Sequence, residues 1–162
     1  MATFSYLYRL LLGLWLGAIV CFAAVVAPAL FQALTPAQAG GVVRGIIPVL
    51  DRFALLAGPA LLAISIGLEG LPRRRGAWLR GALLLAMTLC GGVSGGWVTP
   101  RLDSIRAQSG DRISALAAED PLRQEFGRLH GGSTALMALE LLAGLVALGL
   151  LPGVKRGSAQ LA

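Results

Sequence analysis

Twenty-two consecutive residues without a charge, Leu10 to Phe31, constrain this chain more than any other feature of it. A bilayer core asks for about 20 apolar residues in helix. Ala82 to Pro100 adds 19 uncharged residues, and Gly131 to Leu151 adds 21 with one acid, Glu140. Phe53 to Leu68 is shorter, with 16. At about 1.5 Å per residue that run covers only ~24 Å. The second span is therefore expected to take in Gly45–Leu50, with Asp51 and Arg52 near the interface. The reading is one four-span membrane domain over residues 1–156, with spans of about 10–31, 50–69, 81–99 and 131–151. A frayed tail follows at 157–162. The fold class expected is all-α, an integral-membrane four-helix bundle with helical extensions on the extracytoplasmic side.

Composition agrees. Apolar residues make up 56% and charged residues 14% of the chain, against roughly 45–50% and 25% in soluble domains. That excludes a disordered chain, a coiled coil and a soluble nucleic-acid binder. The basic balance, net +6, sits largely beside apolar runs and reads as membrane topology. Ala37-Gln38-Ala39 resembles a signal-peptidase site, but the preceding run exceeds the 7–15-residue core of a signal peptide. The first span is expected to stay uncleaved.

Direction follows from Lys and Arg near the spans. One side would carry Arg9, Arg73, Arg74, Arg75, Arg80, Lys155 and Arg156. The other would carry Arg44, Arg52, Arg101, Arg106, Arg112, Arg123 and Arg128. The totals are equal, so clustering decides. Four arginines crowd the Leu71–Arg80 loop, whereas those of the Arg101–His130 segment are diluted with acids. Both termini and the short loop are placed in the cytoplasm, with the chain in a plasma (inner) membrane. The arginine cluster also suits anionic headgroups.

Outside the spans, Thr35-Pro36 and Asp120-Pro121 each pair an N-capping residue with proline at the first helical position. The first predicts a helix that Pro48 kinks or breaks. The second predicts one long helix from about Pro121 to Leu151. Pro100–Gln108 can form a short helix ended by Ser109-Gly110. No long internal repeat is evident. Gly91, Gly92, Gly95 and Gly96 form two overlapping GxxxG pairs, and Gly13 and Gly17 lie in span one. Such residues let helices approach closely, within one bundle or between copies in a homo-oligomer.

Candidate chemistry is sparse. Glu140, near the middle of span four, shares a stripe with Ser133, Met137 and Gly144. Intramembrane acids usually face the bundle interior, and Glu140 is expected to do so as a neutral carboxyl. Its role is either a functional site or a structural hydrogen bond. Arg101, Asp103, Arg106, His130 and Ser133 are expected to gather in a polar cluster closing the extracytoplasmic end, as a ligand site or as a fixing of helix ends. Arg101 would seek Asp103, a helix C-terminus or an anion. Cys21, Cys90, Met87 and Met137 could suit a soft metal but lack any paired motif, and the single histidine, His130, cannot build a multi-histidine site. No metal and no cofactor is assigned. A nucleophilic triad through His130 and Ser133 has no GxSxG or oxyanion loop behind it, so no catalytic residue is assigned either.

Four segments carry a resemblance: Ala27-Pro28-Ala29-Leu30-Phe31, Ile47-Pro48, Trp97-Val98-Thr99-Pro100-Arg101, and the run Asp120-Pro121-Leu122-Arg123-Gln124-Glu125-Phe126-Gly127-Arg128-Leu129-His130-Gly131-Gly132-Ser133. In order and spacing the chain resembles the family typified by transmembrane protein 205, small four-span membrane proteins. His130, Gly131 and Ser133 match that family's pattern; Met137 stands where it often has Asn. The resemblance implies a fold and a membrane location and no reaction. The functional reading is a non-enzymatic membrane protein, set in the lipid bilayer, that binds or passes a small solute or ion. The alternatives are an assembly subunit of a membrane complex and a cofactor-dependent membrane oxidoreductase.

Overall fold

A computed structural model describes residues 2–69, 75–110 and 112–151, and everything regular in them is helical. Helix α1 (Ala2–Cys21) passes through a π-helical turn, Phe22–Val26, into α2 (Ala27–Ala33). After a two-residue break comes α3 (Pro36–Glu69). Helix α4 (Arg75–Val93) passes through a second π-helical turn, Ser94–Val98, into α5 (Thr99–Gln108). A short 3-10 turn, Ile113–Ala115, precedes α6 (Pro121–Gly149). Four continuous helical rods, Ser5–Ala33, Pro36–Gly67, Arg75–Gln108 and Pro121–Gly149, are long and apolar enough to cross a membrane.

The rods form a ring: α1 packs on α3 and α6, and α4 packs on α3 and α6. Odd and even spans are thus diagonal pairs of an up-down-up-down bundle. The core is made by Tyr8, Leu12, Trp15, Leu61, Leu84 and Met87 with the small residues Ala54, Ala57, Ala143 and Ala147 between them. Outward lie Leu14, Val25, Leu56, Leu89, Leu142 and Leu145, all exposed. An apolar exterior around a filled core is what a lipid solvent asks for. Trp78 and Trp97 are exposed on the third rod. The 19-residue step from one to the other makes about 28 Å of helix, one hydrocarbon thickness, and Trp favours the two interfaces. The helix continues beyond Trp97 as α5.

The second span departs from its charge-free run. It starts at Pro36 and is one helix through both Pro48 and Pro59. Neighbouring helices hold the backbone where a proline removes a donor, as lipid-embedded helices allow. Asp51 is consequently well inside the bundle and buried, away from the interface where the sequence places it.

The two inter-span caps form as expected. Gln38 N donates to Thr35 Oγ1 while Thr35 N donates to Gln38 Oε1, a reciprocal capping box. Leu122 N donates to Asp120 Oδ1 at 2.8 Å. Gly110 ends α5 in the left-handed region (φ 59°), which suits glycine. The chain also repeats itself structurally where its sequence shows no long repeat. Each π-helical turn is followed by proline, Pro28 or Pro100, with the preceding amide (Ala27 or Thr99) donating five residues back to Phe22 O or Ser94 O. Proline has no N–H for the carbonyl four residues earlier, and a widened turn accommodates that gap. Each hairpin then carries a capped, proline-started second helix.

Of the four span-three glycines, two are seams. A Cβ on Gly91 would lie 2.6 Å from Ala54 Cβ, and one on Gly95 would lie 3.0 Å from Asp51 Cβ. Gly92 would make only ordinary contact with Leu55, and Gly96 meets nothing within 4 Å among the described residues. Gly13 and Gly17 meet nothing either. Gly58, which abuts Thr88, and Gly144, wedged against Leu16 and Met87, are tight seams that no GxxxG pair marks.

Candidate functional site: an acid pair in a membrane cavity

Glu140 on α6 and Asp51 on α3 project into one cavity between the diagonal helices, lined also by Trp15, Phe53, Ser94 and Ser133. Relative exposure is 8% for Glu140 and 9% for Asp51, so both carboxyls are nine-tenths buried. They are close enough to act on each other electrostatically. Gly91 is what allows this: a Cβ there would sit 3.3 Å from Glu140 Oε1 and 3.6 Å from the Asp51 carbonyl. One turn on, a Cβ at Gly95 would be 3.2 Å from Asp51 Oδ2. The two seam glycines thus form the wall against which the acids meet.

Trp15 lines the cavity with Glu140 and is itself held edge-on to Phe53 (centroids 6.4 Å apart, planes at 85°). Ser94 lines the cavity with Asp51, and Asp51 Oδ2 is buried without a partner among the described residues. Among the described residues no basic side chain lines the cavity. Its empty volume, open mouth included, is about 390 Å³. Its depth follows from α4: Gly91 is six residues before Trp97, roughly 9 Å below the interfacial ring at about 1.5 Å per residue. Glu140 faces the interior in the company of Ser133 and Met137, and Gly144 continues the same stripe into the core.

The expected polar cluster divides. Arg101 pairs with Glu125 across to α6 (Nε to Oε1, 2.7 Å) and leaves Asp103 alone. Residues two apart on a helix point to different faces, so that partnership is geometrically closed. Asp103 Oδ1 instead receives Arg106 at 3.4 Å and Arg44 of α3 at 3.2 Å. Arg106 lies over the Phe126 ring at 5.1 Å, and Phe126 stacks on His130 at 6.0 Å with planes 7° apart. Asp103, Arg106 and His130 are thereby linked, through an aromatic ring that the sequence reading did not include. Ser133 belongs to the acid cavity. Arg44, Glu125 and Phe126 complete this end.

At the other end Arg80 is 2% exposed, turned into the bundle and away from any headgroup layer. It donates to Leu150 O at the end of α6 (3.3 Å) and to Ser65 Oγ (3.5 Å), and lies over the Tyr8 ring at 5.9 Å. A cation on the last carbonyls of a helix satisfies orphan acceptors and complements the dipole. Arg73, Arg74, Lys155, Arg156 and the tail 157–162 lie outside the described residues.

Residues 10–111 match the model of a family described as a domain of unknown function (DUF4149). That is more than half of the sequence. The chain belongs to this family. The family segment covers three spans with Asp51, Gly91, Ser94, Gly95 and the Arg101–Arg106 helix, while Glu140 and His130 fall beyond it. No curated protein and no solved structure matches the chain.

Proposed function

We propose that this multi-pass membrane protein binds a small, hard cation in the cavity between Asp51 and Glu140. One observation carries the reading: Asp51 Oδ2 is buried, aimed into a cavity beside a second buried carboxyl, and has no partner among the described residues. An acid pair inside the hydrocarbon layer needs a countercharge. The lining supplies carboxyl and hydroxyl oxygens, the donor type hard cations select. Arg80 seals the opposite end, which favours a site entered from one side over a continuous pore. With the termini cytoplasmic in a plasma (inner) membrane, as the arginine clustering suggests, the cavity lies toward the extracytoplasmic half of the bundle. The wider kinship to the transmembrane protein 205 family rests on the motif Asp120–Ser133 and the Pro28 and Pro100 segments, and homo-oligomerisation on outward Gly13, Gly17 and Gly96.

The test is equilibrium binding of radiolabelled Na⁺ and Ca²⁺ to protein in phosphatidylcholine nanodiscs, with empty discs as control. Saturable uptake of at least one of them is expected, lost in the Asp51→Asn, Glu140→Gln double variant. Equal uptake by that variant and the natural chain would overturn the reading and leave an assembly role as the better account.

A further inference from the structure

The two π-helical turns share one backbone defect and differ in what stands beside it. In the second turn Thr99 N donates to Ser94 O, five residues back. In an α-helix that amide would serve Gly95 O, four residues back. The donor five residues beyond Gly95 would be Pro100, which has no N–H. Gly95 O is thereby left with neither its α-helical nor its π-helical donor. The first turn repeats the pattern: Ala27 N serves Phe22 O, Pro28 follows, and Ala23 O is the carbonyl left over. Ala23 is exposed. Gly95 instead backs the acid cavity. A Cβ on it would lie 3.2 Å from Asp51 Oδ2, the buried oxygen that has no partner among the described residues. Its neighbour Ser94 is buried and lines the cavity. Backbone that departs from the helical pattern is tolerated at membrane depth where it lines a cavity, and π-bulges gather at functional sites.

We infer that the Gly95 carbonyl oxygen is a ligand of the hard cation held at Asp51, freed for that task by the π-helical turn and Pro100. This rests on the cation-binding reading above. Hard cations take carboxylate, hydroxyl and carbonyl oxygens together, and interrupted membrane helices present backbone carbonyls to ions. A carbonyl without a donor in a desolvated place costs free energy. An ion that meets Asp51 Oδ2 from the cavity meets this oxygen too, so one guest satisfies both. The two special residues then have separate tasks. Glycine at position 95 lets the Asp51 carboxyl come against the backbone of α4, and proline at position 100 keeps the carbonyl unclaimed. The same proline signal at Pro28 frees a carbonyl with no acid beside it in the cavity lining, which makes the first turn a built-in control.

Pro100→Ala tests this without altering any ligand. It supplies an amide N–H at position 100. Where the π-helical register persists, that amide reaches Gly95 O; where the α-helical register returns, Thr99 N does. Either way the carbonyl gains a donor. The full chain in phosphatidylcholine nanodiscs is titrated with ²²Na⁺ and with ⁴⁵Ca²⁺, and thermal unfolding shows that each variant is folded. Pro100→Ala is expected to weaken the binding shown by the natural chain by about tenfold, the scale of one contact to a charged group. Pro28→Ala is expected to bind as the natural chain does. Equal affinity of Pro100→Ala and the natural chain overturns the carbonyl ligand and leaves the acid site standing. Equal weakening in both proline variants assigns the effect to the bundle as a whole and also overturns it. Uptake of neither ion by the natural chain overturns the cation-binding reading and this inference with it. A second measurement needs no variant and decides the matter if Pro100→Ala does not fold. In a chain whose glycines carry ¹³C at the carbonyl, adding the bound ion should shift a labelled carbonyl band in the infrared difference spectrum. A difference spectrum with no labelled carbonyl band overturns the assignment.

Discussion

The two ends of this bundle solve the same problem with opposite means. Near Trp78 one arginine, Arg80, is buried against Tyr8, Ser65 and the Leu150 carbonyl. Near Trp97 the charges are numerous, paired and largely exposed, and beneath them a cavity holds two carboxyls with no arginine of their own. A buried polar group in lipid must find a partner in the protein. Arg80 finds a carbonyl and a hydroxyl; Asp51 Oδ2 has no partner among the described residues. The difference teaches where to look for function.

The strongest way to break the open half is to fill it. Gly91→Leu would drive a side chain into Ala54 and Glu140. It should destabilise the protein by about 3 kcal/mol, the upper range for overpacking. Gly96→Leu, with nothing near its Cβ position, should leave thermal unfolding in detergent unchanged. Equal behaviour of the two variants would mean that the seam is elsewhere. The closed end comes next. Arg80→Ala removes hydrogen bonds from a charged donor and should lower stability by about 1.5–3 kcal/mol. Arg80→Lys should restore only part of it, because an ammonium lacks the planar fork that reaches two acceptors. The smallest effect belongs to the surface pairs. Arg101 and Glu125 have side-chain exposures of 51% and 39%. Arg101→Ala should cost no more than about 1 kcal/mol and less in high salt. If Arg101→Ala costs as much as Arg80→Ala under matched conditions, the contrast between the ends fails.

Much of this was legible in the sequence, and the reasons for what was not are specific. Four helices long enough to span announce themselves because lipid allows few charges along a rod. Glu140 stands out as one acid in an otherwise uncharged run. Asp51 does not, because it sits beside Arg52 at the edge of a run that looks short. Only the helix continuing through Pro48 and Pro59 puts it inside. Arg80 hides for the same reason in a segment with four arginines. Arg101 was legible as a charge needing a partner, but helical geometry sends it across to Glu125 instead of along its own helix to Asp103. The π-helical turns are announced only by Pro28 and Pro100, and the prolines of α3 produce no such turn, so the signal is not selective.

The tryptophan pair on the third rod has a consequence for the choice of lipid. About 28 Å separates Trp78 from Trp97, yet the rods run to 34 residues, or about 51 Å of helix. The surplus stands above the Trp97 ring, carrying Arg101 through Arg106 and the first turns of α6. Hydrophobic mismatch is met by tilting or by deforming the bilayer. The polar stalk limits any sinking at one side and Trp78 limits it at the other. Acyl-chain length therefore becomes a control on the acid cavity. Shorter chains bring the headgroups nearer to it, and longer ones deepen the apolar layer around it.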